Sequence, residues 1–133
     1  MLGNSPAYAN LPCVDLAGAR KFYSETLGLP EIEMSGFEGN AAEMGAMFQC
    51  GQGTLLMIYA RETPTTADNT AVTWIVDDVD ATADHLISQG VKLEVYDIPC
   101  IEFDDRGVAN ISGQKGAWFT DPEGNILSII SLP

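Results

Sequence analysis

A site that does chemistry needs bases, nucleophiles or metal donors that can converge, and this 133-residue chain carries few. Its one histidine, His85, lies in "ATADHLISQG", where the pattern is helical and the residue reads as a helix position near the surface. With that histidine committed to a helix, no Ser-His-acid or Cys-His arrangement can be assembled. Cys13, Cys50 and Cys100 are far apart, with no CxxC spacing and no histidine neighbour, so a zinc site is disfavoured and reduced thiols are expected. Gly51 and Gly53 in "CGQGT" read as a turn between strands, not a phosphate loop. What remains is a sparse set of hydroxyl and aromatic groups in apolar strands. The clearest is Ser128, a lone hydroxyl inside "GNILSIIS".

Charge narrows the partners. Six basic residues against 19 acidic ones give a net charge of −13. Such a surface repels nucleic acid and anionic lipid and slows anionic substrates, while it favours a cationic ligand. Solubility alone is the competing explanation. No apolar run approaches the length that spans a bilayer. The start, "MLGNSPAYANLP", lacks a basic segment followed by an apolar one, so a cytoplasmic location is expected.

Two segments carry helical periodicity. In "VDLAGARKFYSETLGL", Asp15 is placed to cap, Leu16, Ala19, Phe22, Tyr23 and Leu27 form a stripe, and Gly28 ends the run. In "VDDVDATADHLISQGV", Asp77 or Asp78 caps, Val79, Ala83, Leu86 and Ile87 form the stripe, and Gly90 terminates. Val14–Gly28 and Val76–Gly90 superpose without a gap. Strand-like runs precede them, "AYANLPCV" and "NTAVTWIV". "PEIEMSGF", "AAEMGAMFQC" and "GTLLMIYA" follow the first helix; "VKLEVYDI", "KGAWFTD" and "GNILSIIS" follow the second. The chain thus reads as a tandem β-α-β-β-β unit joined by the polar linker "RETPTTADN". The long segment 98–113 reads as a rim or lid. Asp121-Pro122-Glu123-Gly124 fits a type I turn and is structural.

"NLPCVDLAGARKFYSETLGL", "VDDVDATADHLISQGV" and "GAWFTDPEGNILSII", in that order, resemble the vicinal oxygen chelate superfamily. That group includes glyoxalase I, bleomycin-resistance proteins, fosfomycin-resistance enzymes and extradiol dioxygenases. The resemblance implies an α+β fold: one domain over residues 1–133, with module 6–62 and module 69–132 curling their sheets into a cleft. Metal-dependent members place His and Glu ligands on the first and last strand of each module. The matching positions here are Tyr8, Met57, Ala71 (with Thr70 as the register alternative) and Ser128. None offers an imidazole or carboxylate, so neither a metal nor another cofactor is expected.

Strand alternation then assigns faces. Tyr8, Asn10, Met57, Tyr59, Ala71, Thr73, Ile126 and Ser128 face the implied cleft; Leu11, Cys13, Leu56, Ile58, Val72, Trp74, Leu127 and Ile129 face the helices. Trp118 and Phe103 could stack on a planar ligand. The expected ligand-binding set is therefore Tyr8, Asn10, Met57, Tyr59, Thr73, Phe103, Trp118 and Ser128, with no catalytic residue. Lys115 and Arg106 could offset a ligand carboxylate or be solvated rim charges. The favoured function is metal-free binding of a small molecule, a cationic or planar antibiotic-like compound, by a cytoplasmic homodimer. The alternatives are a glyoxalase-like lyase or isomerase using Glu43, Glu94 or Glu102 for a metal or Tyr8 as proton donor, and a structural dimer with a vestigial cleft.

Overall fold

A computed structural model describes residues 1–34, 39 and 41–133. The chain divides into two compact units, Met1–Thr66 and Ala67–Pro133, with the boundary inside the polar linker. The mixed α+β architecture is the one expected, with one sheet in each unit.

In the first unit, β1 (Ala9–Cys13) leads into α1 (Leu16–Lys21), then β2 (Glu31–Ile32), a short helix α2 (Ala41–Met44), β3 (Gly45–Gln49) and β4 (Leu55–Ala60). The sheet order is β1-β4-β3-β2, with β1 parallel to β4 and the other pairs antiparallel. Asp15 caps α1 by accepting the Gly18 N–H at 3.1 Å. The fit is close, since a Cβ on Gly18 would lie 2.5 Å from the Asp15 carboxylate. Leu11, Cys13, Ala46, Phe48, Leu56 and Ile58 bury one face of the sheet together with Ala19 and Tyr23. Tyr23 packs on Phe48 with ring centroids 5.7 Å apart. Each fully buried aliphatic or aromatic side chain there contributes about 1.5–3 kcal/mol.

In the second unit the elements are β5 (Thr70–Ile75), α3 (Val79–Ser88), β6 (Glu102–Phe103), β7 (Ala109–Ile111), β8 (Gln114–Thr120) and β9 (Ile126–Ile130), in sheet order β5-β9-β8-β7-β6. Val79, Ala83 and Leu86 are buried as the stripe requires, whereas Ile87 turns outward and is 39% exposed. Of the two candidate caps, Asp78 is the one used, accepting the Ala81 N–H at 3.0 Å.

That cap shows that the two helical segments do not superpose without a gap. From Asp15 to Gly28 the chain has one residue more than from Asp78 to Gly90. The extra residue is taken up by a π-helical turn over Phe22–Thr26, where the Leu27 N–H donates to the Phe22 carbonyl five residues back.

Three strand expectations change. "VKLEVYDI" forms no strand, and its backbone pairs with the sheet through an isolated bridge between Glu94 and Trp118. The first half of "AAEMGAMFQC" is α2, and only the second half is β3. "PEIEMSGF" keeps a strand at Glu31–Ile32, while its residues 35–37 lie outside the described ones. The segment 98–113 is largely a hairpin that widens the sheet, not a free loop, because β6 and β7 pair antiparallel. Asp104 closes its turn by accepting the N–H groups of Arg106, Gly107 and Val108. Gly107 sits there at φ +104°, a conformation that other residues rarely adopt.

The terminal turn is as expected. The Gly124 N–H donates to the Asp121 carbonyl at 3.1 Å. The buried Asp121 carboxylate accepts the backbone N–H groups of Glu123 and Asn125 and the Asn125 side-chain amide. Asp121→Ala should therefore cost about 2–4 kcal/mol, since it strands buried donors that met a charged acceptor. Urea unfolding with an unchanged m-value is the measurement.

Candidate functional site: an aromatic hollow on the second sheet

Strand β5 runs parallel to β9 with a bulge near its start. Thr70 pairs with Ile126, then Val72 with Leu127 and Thr73 with Ser128, which leaves Ala71 out of register. Simple alternation pairs Ala71 with Thr73 on one face. The bulge replaces Ala71 by Thr70, so two threonines three residues apart share the face of Ile126 and Ser128. Ser128 is 3% exposed, and its Oγ lies 2.6 Å from the Thr73 Oγ1. Each hydroxyl therefore has a partner within the sheet.

Across β9, Ser128 is paired with Trp118 of β8, so the indole shares the same face. Its Nε1–H donates to Thr70 Oγ1 at 3.2 Å. Tyr96 meets the indole edge-on at 5.8 Å between centroids, and Phe103 lies tilted at 6.1 Å. The segment carrying Tyr96 is held by the Glu94 N–H, which donates to the Trp118 carbonyl at 2.7 Å. Burial pushes the Tyr96 phenol above its ordinary value, and the neighbouring Glu94 charge adds to this, so the group stays protonated near neutrality.

A hollow of about 360 Å³ opens at this place. Tyr96, Ile98, Trp118 and Ile126 supply its apolar and aromatic walls, and Asp68, Asn69 and Thr70 supply its polar edge. Thr73, Ser128, Trp118 and Phe103 are thus brought to one region of the second unit. The sequence reading overlooked Tyr96, Ile98, Asp68 and Asn69. Tyr96 was hidden in a run read as an ordinary strand, and Asp68 and Asn69 in residues read as linker.

The other four expected residues belong to the first unit. Asn10 and Met57 are cross-strand partners, and Tyr59 follows on the same face as Met57. The Met57 methyl lies over Gly45, where an added Cβ would approach it to 2.5 Å. Tyr8 precedes β1 and is 52% exposed.

The superfamily's divalent metal does not fit these side chains. Thr70 carries the Trp118 hydrogen bond, Ser128 and Thr73 are bonded to each other, and Met57 offers only a thioether. No group of three His, Cys, Asp or Glu side chains that could hold a metal occurs among the described residues. Nor do Arg106 and Lys115 serve as free cations at a rim. Arg106 binds Asp80, Asp84 and Asp104, and Lys115 also binds Asp80. His85 is exposed on α3.

The chain belongs to the Glyoxalase/Bleomycin resistance protein/Dioxygenase superfamily, whose model matches residues 5–129. Among solved structures it is similar to the glyoxalase family protein from Enterococcus faecalis, at 18% identity and TM-score 0.69, over 98% of this chain and 99% of that one. It is also similar to a lactoylglutathione lyase from Agrobacterium tumefaciens, at 18% identity and TM-score 0.66, over 96% and 93%. The fosfomycin resistance protein FosX from Listeria monocytogenes matches at 13% identity and TM-score 0.67, over 98% and 94%. At these identities the likeness is one of fold. None of the curated proteins matches the chain. No helix among the described residues is long and apolar enough to cross a membrane.

The ion-pair cluster generates a pH dependence. Hydrogen bonds from Lys115 and then Arg106 hold the Asp80 carboxyl below its ordinary value. Burial pushes Asp104 upward, but Arg106 and the backbone N–H groups of Val108 and Arg106 outweigh it and leave that carboxyl lowered too. Lowered carboxyls contribute stability that is full at neutral pH and fades as pH falls through the folded-state values. Arg106→Gln should therefore melt below the wild type at neutral pH, with the gap closing as the pH falls from about 5 through the lowered values of Asp80 and Asp104. Parallel thermal melts across that range read the effect.

Proposed function

We propose that this protein binds a small planar molecule on the aromatic face of its second sheet and holds it without a metal and without converting it. One observation carries the reading: Trp118, fixed by Thr70 and flanked by Tyr96, walls a hollow whose polar groups lie at one edge. Hollows with apolar walls and a few placed polar groups suit small organic ligands. The Thr73 and Ser128 hydroxyls are paired with each other and the Tyr96 phenol is held protonated, so neither supplies a base at neutral pH, and the basic group on the lining is the Asp68 carboxylate. Sequestration of an antibiotic-like compound is the role this arrangement suits. The protein acts in the cytoplasm as a homodimer; on the second unit the exposed Ile75 and Val95 side chains are of the apolar kind that a second copy would cover.

Three measurements test this reading. Elemental analysis of protein purified without chelators should find no stoichiometric divalent ion, and one tightly held ion per chain would overturn the metal-free assignment. In a thermal-shift panel of planar antibiotics and dyes, at least one compound should raise the melting temperature by several degrees. A ligand at a hundred times its Kd stabilises by about 2.7 kcal/mol. Trp118→Ala should abolish that shift and Trp118→Phe should keep part of it. Light scattering in solution should give twice the mass of the chain.

A further inference from the structure

We infer that the hollow selects a small aromatic monocation, with Asp68 as the group that reads its charge; this rests on the binding reading above. Asp68 and Trp118 line the same hollow, one a carboxylate at its polar edge and the other a π-surface on its wall. A ring seated on the indole is attracted more strongly when it carries positive charge, because the indole face is electron-rich. Among the described residues the lining also holds the edge-on Tyr96 and the apolar Ile98 and Ile126, and no cation to oppose that charge. Arg106 and Lys115, two of the chain's six basic residues, are tied to the acids of α3 and to Asp104. Thr70 contributes a further element. Its Oγ1 accepts the indole N–H, which directs its own hydroxyl proton away from Trp118 and makes it a donor to an acceptor atom on the ligand.

Size adds a limit. At about 360 Å³ the hollow stands near the lower end of ligand pockets, which run from about 300 to 1,000 Å³. It fits one or two fused rings with a cationic nitrogen and excludes a large multi-ring glycopeptide.

The test uses two planar probes of nearly equal shape, quinoline, neutral at pH 7.5, and N-methylquinolinium, permanently charged, titrated calorimetrically into the full-length protein. The cation should bind about five- to tenfold more tightly. Asp68→Asn should bring the two to within about twofold of each other without changing the affinity for quinoline. Asp105→Asn removes one acidic charge that does not line the hollow and should leave the preference intact, which separates Asp68 from the general field of an acidic surface. Trp118→Leu should weaken both probes. Equal binding of the two probes, or a preference that survives Asp68→Asn, overturns the charge selection while leaving the binding site standing. If neither probe binds and neither raises the melting temperature, the binding reading itself fails.

Discussion

A hydroxyl buried on an inner strand must find a hydrogen-bond partner, and the second sheet is arranged around that requirement at Ser128. Strand β9 lies between β5 and β8, and both neighbours present a side chain beside Ser128. On β8 the facing residue is Trp118, whose indole N–H is directed to Thr70. On β5 it is Thr73, which meets Ser128 at 2.6 Å. A bulge at Ala71 lets one short strand present both threonines to the same face, where an unbroken strand would show them on opposite sides. The fixed indole, its tyrosine neighbour and the hollow between them follow from that register.

Most of the fold could be read from local chemistry. Caps, terminal glycines and the Asp-Pro-Glu-Gly turn act over three or four residues, and each is found where sequence placed it, with Asp78 resolving the one open choice. Alternation correctly assigned the buried faces of β1, β4 and β9 because those strands pair regularly with neighbours whose burial is decided by the same core. It failed at Ala71, since a bulge depends on the register against a partner strand far along the chain. The gapless match of the two helical segments failed for a similar reason. A π-turn absorbs one residue without altering the apolar stripe, so a period of roughly 3.6 residues cannot reveal it.

Of the residues named from sequence, Trp118 lines the hollow, Phe103 packs on its ring, and Thr73 and Ser128 bond to each other on the same sheet. Tyr96 belongs to a stretch joined to the sheet by a single bridge, so its position depends on one backbone contact that no periodicity encodes. Asp68 and Asn69 look like ordinary linker residues until the bulge in β5 brings the start of that strand beside Trp118. A tertiary hydrogen bond, from indole to threonine, turns linker residues into the edge of a site.

The strongly acidic composition acquires a more specific meaning once the ion pairs are placed. A net charge of −13 spread evenly would act at long range and be screened within about 10 Å at ordinary salt. Instead, Arg106 and Lys115 gather at Asp80, Asp84 and Asp104, joining α3 to the β6–β7 turn and to β8. That clamp braces the strand that carries Trp118. Among the described residues, Asp68 is the one charged side chain on the hollow's lining. Short-range charge at one edge and electron-rich rings on the walls then act on the same ligand. Discrimination arises from where the few basic groups are bound, more than from how many acidic ones the chain contains.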